Sequence, residues 1–424
     1  MKKPAVAVDT SRKAEKVHRP LSVRLLPPCA VLCVLAAMLA VAAFTGLWPM
    51  DENPYNSYAI QADAWLHGHL DIPDGAQYTW LELAIREGKY YVSFPPFPSF
   101  VLLPFAAVLG THTPDHLLMW AVTALGVLMA LRLSRKRCGS EALRLQWVLF
   151  LFLGNGYLFI AMRGSVWFMA QAMCFVLSLA ALVLAREGHG AVSLVCWACA
   201  VGCRPMQALY LPVLLRFLWL GEQREKEPSL TLLGLLRARW RWLIAPVLIG
   251  AVYMALNVLR FGNPLEFGHS YLPEFTRAAD GQFSLSYAAH NAQSYLRLPQ
   301  TGGENGALRF YKYEGMAFYL LNPMLVLYAA AWLRALLRAK RGERREFLLL
   351  PVLLAAHGAI LCCHRTLGGW QFGNRYLLDM LPFVYDELLD LRAGGTSDTW
   401  LAPLATWGMA LHLLGTAAVY NAWI

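Results

Sequence analysis

The sequence predicts an all-α fold: a polytopic transmembrane helical bundle of roughly 10 to 13 helices with two long outward-facing loops. Three observations support this prediction. Hydrophobic residues make up 58% of the 424-residue chain and charged residues only 15%, whereas soluble domains are about 25% charged. Apolar runs recur along the whole chain, and each is long enough to cross a hydrocarbon core of about 30 Å. Basic residues are grouped in short clusters between these runs.

The predicted membrane segments follow one another along the chain from residue 25 onward. Two of them are too long for a single crossing, because 97–133 is interrupted by Pro104 and by "GTHTPDH", and 191–220 is broken at "CRPM". How often each of these two crosses stays open, which is why the helix count is a range. The segments are 25–48, 97–133, 146–162, 166–185, 191–220, 242–260, 315–333, 347–363, 376–391 and 400–421.

The basic clusters predict the orientation, since Lys and Arg are enriched in cytoplasmic loops. The N-terminal residues 1–24 form a cytoplasmic basic tail, followed by a single transmembrane domain at 25–424. The first loop (49–96) and the second loop (261–314) then face outward. The cluster Arg132–Arg144 conflicts with this orientation if the segment before it crosses twice. The clusters also account for the net charge of +10, so we predict no nucleic-acid partner.

The sequence by itself predicts no metal site. Cys196, Cys199 and Cys203 share one helix face, but no histidine accompanies them, so we interpret them as packing residues. His67 and His69 flank a glycine, and no third ligand stands at a defined spacing from this pair.

Two adjacent carboxylates, Asp51 and Glu52, stand where the chain leaves its first apolar segment. At a lipid–water boundary a carboxylate lies in a lowered dielectric, so its basicity responds strongly to its neighbours. Such a carboxylate can accept a proton from the hydroxyl or amine of an acceptor molecule while a chemical group is transferred to that acceptor. The alternative is that both residues only end the first span and solvate its exit.

The remainder of the first loop contains two local patterns. The stretch "SYAIQADAWLHGHL" (57–70) places apolar and aromatic residues on one side of a helix, as expected for a helix that lies in the membrane interface. The stretch "GKYYVSFPPFP" (88–98) predicts a turn at Gly88-Lys89, followed by a helix start that prolines stiffen.

The order of these features resembles the GT-C membrane glycosyltransferases, which use polyprenyl-phosphate sugars. In pattern the chain is similar to the protein O-mannosyltransferases and the aminoarabinose-type lipid A transferases. The family's "DExxY" pattern is matched by Asp51, Glu52 and Tyr55, and the resemblance implies that Asp51 is the catalytic base, with Glu52 as its neighbour. Some members carry an acidic-basic pair before two prolines, for metal or phosphate contact. Ser93 and Phe94 stand there in this chain, so the need for a divalent metal stays open.

Polar and aromatic loop residues are candidates for substrate binding. Glu82, Glu87 or Lys89 would have to replace the missing acidic-basic pair. His290 lies in a stretch rich in Tyr, Asn and Gln, which suits sugar hydroxyls and equally suits an ordinary polar loop. The substrate-binding candidates are Tyr55, Glu82, Lys89, Tyr90, His290 and Tyr376.

Three arginines are candidates for binding the donor phosphate. Arg375, in "FGNRYLLDMLP", is similar to the family's "RYlxxxlP" signature, and by this resemblance it would contact that phosphate. An arginine at a membrane surface can hold a phosphate bidentately; the alternative is an interfacial anchor beside Tyr376. Arg365 is a second candidate. Arg204, in "GCRPMQALYLP", needs a partner if it lies at membrane depth, and we place the acid Asp379 inside a predicted span.

The resemblance implies an inverting enzyme of the cell envelope, integral to the inner membrane of a bacterium. It would move a sugar from a polyprenyl-phosphate donor to a lipid, glycan or protein acceptor on the outward side, among membrane lipids. Two other classes stay open. A transporter or flippase would bury ionisable residues within its spans, and Arg204 at a helix break fits that expectation. A non-catalytic scaffold would use the acids and cations only for topology.

Overall fold

Helices make up most of the fold, and the four short strands of the described residues lie in the first and second loops. The computed structural model describes residues 21–225, 228–302, 308–392 and 397–424, so most of the predicted tail at 1–24 lies outside it. The helices and strands within these ranges are α1 (Leu21–Thr45), α2 (Ser57–Leu66), β1 (Leu83–Arg86), β2 (Lys89–Val92), α3 (Phe97–Leu109), α4 (Asp115–Ser134), α5 (Glu141–Leu153), α6 (Tyr157–Ala161), α7 (Val166–Arg186), α8 (Gly190–Val201), α9 (Leu211–Glu225), α10 (Leu232–Ala238), α11 (Ile244–Phe261), α12 (Pro273–Thr276), α13 (Ala288–Leu296), β3 (Gln300–Thr301), β4 (Leu308–Arg309), α14 (Phe318–Leu321), α15 (Pro323–Arg338), α16 (Leu349–Cys363), α17 (Leu381–Leu391) and α18 (Ser397–Tyr420).

Among the described residues, 6 helices are long and apolar enough to cross a membrane. Helices α3 and α8 are also apolar but shorter. These helices confirm the predicted all-α, polytopic class and are those expected of an integral membrane protein. The long apolar helices are Leu21–Thr45, Asp115–Ser134, Val166–Arg186, Trp240–Phe261, Arg344–Cys363 and Thr399–Tyr420.

The two overlong predicted segments divide where the sequence indicated. Segment 97–133 becomes α3 and α4, and α3 ends at Gly110, which has a φ of +60°. Segment 191–220 becomes α8 and α9, joined by a short 3-10 helix at Pro205–Tyr210. Proline has no N–H with which to continue α8, so the chain turns there and Arg204 adopts an extended conformation at the break.

Helix α7 is the central helix of the fold. In its most apolar stretch 83% of the residues are buried, and it packs against α4 and α8. A helix that is hydrophobic on every side belongs in the interior, and the sequence of α7 is of this kind. In α11 and α16 the buried share is 17%, so these two helices lie at the periphery and present their apolar surface to the surroundings.

The hairpin of the first loop turns at Glu87-Gly88, one residue earlier than the predicted Gly88-Lys89. Strands β1 and β2 pair antiparallel, with Arg86 opposite Lys89. The two turn residues, Glu87 and Gly88, have φ angles of +53° and +77°, and a type I′ turn requires positive φ at both of these positions. The hairpin places Glu82 directly before β1.

The helix predicted in the first loop is present as α2, but its position differs from the interfacial one that we expected. Its residues from Ser57 to Ala62 are all buried, and Tyr58 is only 1% exposed. Helix α2 packs against α3 and β2, and Ser99 Oγ donates a hydrogen bond to the Tyr58 carbonyl at 3.0 Å. Packing against α3 therefore covers the side that the helix would otherwise turn toward lipid.

Candidate active site

The two long loops meet the break between α8 and α9 around a cavity of about 290 Å³, which we call the central cavity. Its lining includes two carboxyl groups, Glu82 from the first loop and Glu274 from the second. It also includes two guanidinium groups, Arg204 at the helix break and Arg375 at the start of a short 3-10 helix before α17. Trp167 of α7 forms part of the remaining, largely aromatic wall.

Arg375 is buried, and neutral groups hold its side chain. Its Nε donates to the Gly368 carbonyl at 2.5 Å, and its Nη1 lies 3.5 Å from Gln171 Oε1. Gly368 has a φ of +120°, and a Cβ at this position would approach the Arg375 side chain to 3.2 Å, so glycine is required. Within the described ranges no carboxylate forms an ion pair with Arg375. A guanidinium held in this way at a cavity wall is suited to bind an anion.

Arg204 forms an ion pair with a buried carboxylate, as expected for an arginine at membrane depth. Its Nε donates to Asp379 Oδ2 at 3.0 Å, and the Asp379 side chain is only 1% exposed. Gln171 Nε2 donates both to Asp379 Oδ1 at 2.8 Å and to the Arg375 carbonyl at 2.6 Å. Gln171 on the central helix therefore holds the segment that carries Arg375, and Asp379 of that segment in turn holds Arg204.

Both guanidinium groups also contact one aromatic ring. The ring centroid of Tyr376 lies 4.8 Å from Cζ of Arg204 and 4.9 Å from Cζ of Arg375, which is the range of cation–π attraction. His269, also in the lining, is neutral at pH 7 because burial lowers its pKa to about 4. The two arginines therefore supply the positive charge at this side of the central cavity.

Glu82 is a carboxyl group that shares the central cavity with these arginines. Trp167 Nε1 donates to Glu82 Oε2 at 2.7 Å. The pKa of Glu82 is raised because the surrounding protein partly desolvates the carboxyl; the hydrogen bond from Trp167 and the charge of Arg375 oppose this shift. Glu82 is nevertheless an exposed residue of the cavity wall. A carboxylate with a raised pKa is a better proton acceptor than an ordinary glutamate.

The carboxylates predicted to be catalytic, Asp51 and Glu52, are exposed, and neither is among the residues that line the central cavity. Asp51 Oδ2 accepts a backbone hydrogen bond from three residues earlier, at 2.7 Å, and Glu52 pairs with His112 at 3.2 Å. Tyr55 lies nearer, with its ring centroid 5.2 Å from that of Trp167. The "DExxY" stretch therefore reaches the cavity wall through Tyr55.

The other predicted residues divide between a second cavity and the surface. Tyr90 lines a separate cavity beside the first-loop hairpin. Arg365 and His290 are exposed, and Lys89 forms an exposed ion pair with Asp71 at 4.0 Å. Arg365, His290 and Lys89 do not line the central cavity.

Two further cavities adjoin the central cavity, one at the arginines and one at the glutamates. The first, which we call the apolar groove, has a volume of about 360 Å³ and shares Arg204 and Tyr376 with the central cavity. The rest of its lining is mainly apolar and includes Leu265, beyond α11, and residues of α16. The second, the aromatic cavity, has a volume of about 510 Å³ and shares Glu82 and Glu274 with the central cavity.

In the part of the chain that the structure describes, no group of three or more His, Cys, Asp and Glu residues could hold a metal ion. At the positions of the family's acidic-basic pair, Ser93 Oγ donates to the Glu82 carbonyl at 2.9 Å, and the Phe94 ring packs against His269 with centroids 4.9 Å apart.

Sequence reasoning missed Glu274, Trp167 and the pairing of Arg204 with Asp379. Glu274 follows a proline in the second loop, and no local sequence pattern marks it as a residue of a functional site. Arg204 and Asp379 were both recognisable as ionisable groups that need partners at membrane depth. Because 175 residues separate them, only folding could show that each is the partner of the other.

Replacing one partner of this buried ion pair should destabilise the protein. Asp379→Ala leaves Arg204 charged without its carboxylate, and breaking a buried pair in this way costs about 3–5 kcal/mol. We expect a clearly lower unfolding temperature in nanodiscs, measured by tryptophan fluorescence. The control Asp63→Ala removes an exposed pair with His67 at 3.7 Å and should cost less than about 1 kcal/mol. Equal unfolding temperatures for the two variants would contradict the structural role of Asp379.

The fold has counterparts among solved structures, although no protein-family model and no curated protein matches the sequence. The chain is similar to ArnT from Cupriavidus metallidurans bound to undecaprenyl phosphate, with 14% identity and a TM-score of 0.46, covering 92% of this chain and 76% of ArnT. ArnT from the same organism in the apo state is 14% identical with a TM-score of 0.47, and the match covers 93% of this chain and 77% of ArnT. The apo oligosaccharyltransferase of Archaeoglobus fulgidus is 10% identical with a TM-score of 0.46, and the match covers 94% of this chain and 56% of the oligosaccharyltransferase. At TM-scores below 0.5, this likeness carries no conclusion about the activity or the substrates of the present chain.

Proposed function

We propose that this protein is an integral membrane glycosyltransferase that moves a sugar from a polyprenyl phosphate to an acceptor on the outward side of a bacterial inner membrane. One observation carries the proposal: Arg204 and Tyr376 border both the central cavity and the apolar groove. A phosphate bound between Arg204 and Arg375 would therefore direct an attached lipid chain into the groove. The resemblance of the sequence motifs to GT-C enzymes supports the same function.

The two arginines suit the change of charge in this reaction. The donor phosphate is a diester with a single negative charge, and the lipid phosphate gains a second charge when the sugar leaves. Groups that stabilise charge developing in the transition state accelerate a reaction. Arg375, which pairs with no carboxylate of the described residues, is placed to do this, and Arg204 adds further N–H donors.

The apolar groove supplies the surface that a lipid chain needs. Its apolar lining includes Leu265 and Phe267, which follow α11, and Ile360 and Leu361 on α16. Both α11 and α16 are peripheral helices with mostly unburied apolar surface. A lipid that diffuses in the plane of the bilayer would then reach the arginines without leaving the membrane.

We assign the role of general base to Glu82. It lines the central cavity together with the two arginines, whereas Asp51, to which the resemblance assigns this role, does not. In the reaction the acceptor oxygen bonds to the anomeric carbon, and the bond from that carbon to the phosphate oxygen breaks. The electron pair of the broken bond leaves with the lipid phosphate, and the proton of the acceptor hydroxyl passes to the Glu82 carboxylate. A single displacement of this kind inverts the anomeric carbon.

The transporter and scaffold alternatives have less support. Arg204, the residue that favoured a transporter, is bonded to Asp379 and stacked on Tyr376, so it belongs to a fixed site and not to a moving charge pathway. A scaffold would have no use for Arg375, a buried cation at a cavity wall whose own contacts are neutral.

Removing the phosphate contact should slow transfer strongly. With purified protein in nanodiscs, radiolabelled polyprenyl-phosphate sugars as donors and membrane extract as acceptor, Arg375→Ala should lower kcat/KM by about a hundredfold, or about 2.7 kcal/mol of transition-state stabilisation. Arg375→Lys should recover only part of this, because lysine keeps the charge but lacks the forked donors. The control Arg277→Ala, at an exposed arginine of the second loop, should match wild type. Full activity of Arg375→Ala would rule out the phosphate role.

A comparison of two variants decides which carboxylate is the base. In the same assay Glu82→Gln should lose about a hundredfold in kcat, since loss of a general base typically costs about 10²–10⁴-fold. Asp51→Asn should lose less than about tenfold, because its carboxylate lies outside the cavity lining. The reverse order of the two losses would transfer the role to Asp51, as the sequence resemblance implies.

The pH dependence of transfer should follow the pKa of Glu82. Because the base acts when deprotonated and its pKa is raised, the rate should fall with decreasing pH at a pH above the usual glutamate value of about 4.3. Trp167→Phe removes a hydrogen bond that lowers this pKa. The acid limb of the pH–rate profile, where the transfer rate falls at low pH, should therefore move to higher pH. Trp370→Phe changes another tryptophan of the cavity and should leave the limb in place. An unmoved limb in Trp167→Phe would argue against Glu82.

A further inference from the structure

The aromatic cavity takes no part in the donor chemistry described above. Its volume of about 510 Å³ lies within the range of about 300–1,000 Å³ that is typical of small-molecule sites. It meets the central cavity at Glu82 and Glu274, and its walls include Tyr78, Trp80 and Tyr90. A molecule bound there would face the carboxyl groups from the side away from the apolar groove.

Trp80 presents a fixed aromatic face to this cavity. Its side chain is 52% exposed, yet its Nε1 donates to the Pro54 carbonyl at 2.8 Å. Its ring meets that of Tyr78 edge to face, with centroids 5.8 Å apart and planes at 77°. A large exposed ring that is already held in place binds a ligand at a low cost in conformational entropy.

Tyr90 is held against the same cavity by the segment before the hairpin. The Ile72 N–H donates to the Tyr90 carbonyl at 2.7 Å. Gly75 packs so closely that a Cβ there would lie 2.3 Å from Tyr90 Cβ, and so only glycine allows this approach. The aromatic wall is therefore built from both the hairpin and the segment that precedes it.

The carboxyl pair at the junction sets the charge of the ligand. Partial burial raises the pKa of Glu274, the nearby charge of Glu82 raises it further, and Arg365 lowers it. The two carboxyl groups are thus close enough to repel each other. Such a pair accepts hydrogen bonds from hydroxyl groups and disfavours an anionic ligand.

We propose that the aromatic cavity is the acceptor site and that it takes a neutral sugar, whose ring lies on Trp80 and whose hydroxyl reaches Glu82. This inference rests on the function proposed above. Sugar rings have apolar C–H faces that pack on aromatic rings, and their hydroxyls donate to carboxylates, so one ligand satisfies both kinds of lining. The acceptor hydroxyl then meets the donor's anomeric carbon at the junction, where Glu82 takes its proton and the lipid phosphate leaves on the arginine side.

A binding measurement that needs no turnover tests the site. Saturation-transfer NMR on the full chain in nanodiscs would use the methyl glycosides of glucose, mannose and galactose, with glucose 6-phosphate as the anionic and glucosamine as the cationic comparison. We expect a signal from at least one methyl glycoside, and Trp80→Ala should reduce it about fivefold or more. Trp240→Ala, at a tryptophan of similar exposure on a different segment, should leave it unchanged. Absence of any glycoside signal, equal signals in both variants, or stronger binding of either charged sugar would overturn the proposal.

Transfer kinetics then test whether the bound sugar is the acceptor. With the glycoside that binds, Trp80→Ala should raise the acceptor KM about tenfold and leave the donor KM within about twofold. Donor-dependent transfer that Trp80→Ala does not affect would overturn the acceptor site and leave the proposed function standing. No transfer by wild type, together with no stabilisation by undecaprenyl phosphate, would overturn the proposed function itself.

Discussion

The buried ion pair between Arg204 and Asp379 is the interaction on which the rest of the site depends. Taking two charges out of water costs several kcal/mol per ion, so such a pair persists only where further hydrogen bonds complete it. Gln171, on the central helix, provides them and also bonds the backbone of Arg375. The pair therefore joins the break after α8, helix α7 and the short helix before α17, and the positions of both arginines follow from it.

Around this ion pair, apolar, basic, acidic and aromatic side chains follow one another from the apolar groove to the aromatic cavity. The apolar groove leads to Arg204, the central cavity adds Arg375 and Glu82, and Glu82 with Glu274 borders the aromatic cavity. In this order a lipid chain, its phosphate, a base and an acceptor would each meet the kind of surface that suits them. Of the charged side chains at the centre, Arg204 borders the groove, whereas Glu82 and Glu274 border the aromatic cavity.

The position proposed for the general base shows where motif and geometry diverge. The "DExxY" motif marks Asp51, which the structure leaves exposed at the end of the first span. Glu82, which the sequence offered as a substrate-binding candidate and as a replacement for the missing acidic-basic pair, lines the central cavity and accepts a hydrogen bond from Trp167. A motif identifies residues by their spacing along the chain, whereas the residues that share a cavity are decided by how distant segments pack. The packing of the hairpin places Glu82 at the cavity, and the motif does not encode that packing.

The sequence by itself determined the membrane class, the divisions of the long apolar segments and the turn at Gly88, because these depend on local hydropathy and on the backbone limits of proline and glycine. It also singled out Arg204, Arg375 and Tyr376 as residues of interest. Only the tertiary structure decided that Arg204 pairs with Asp379, that α2 is buried, and that two glutamates from different loops share one junction. Those contacts join residues far apart in the chain, and long-range packing, unlike hydropathy, leaves no local pattern from which to predict it.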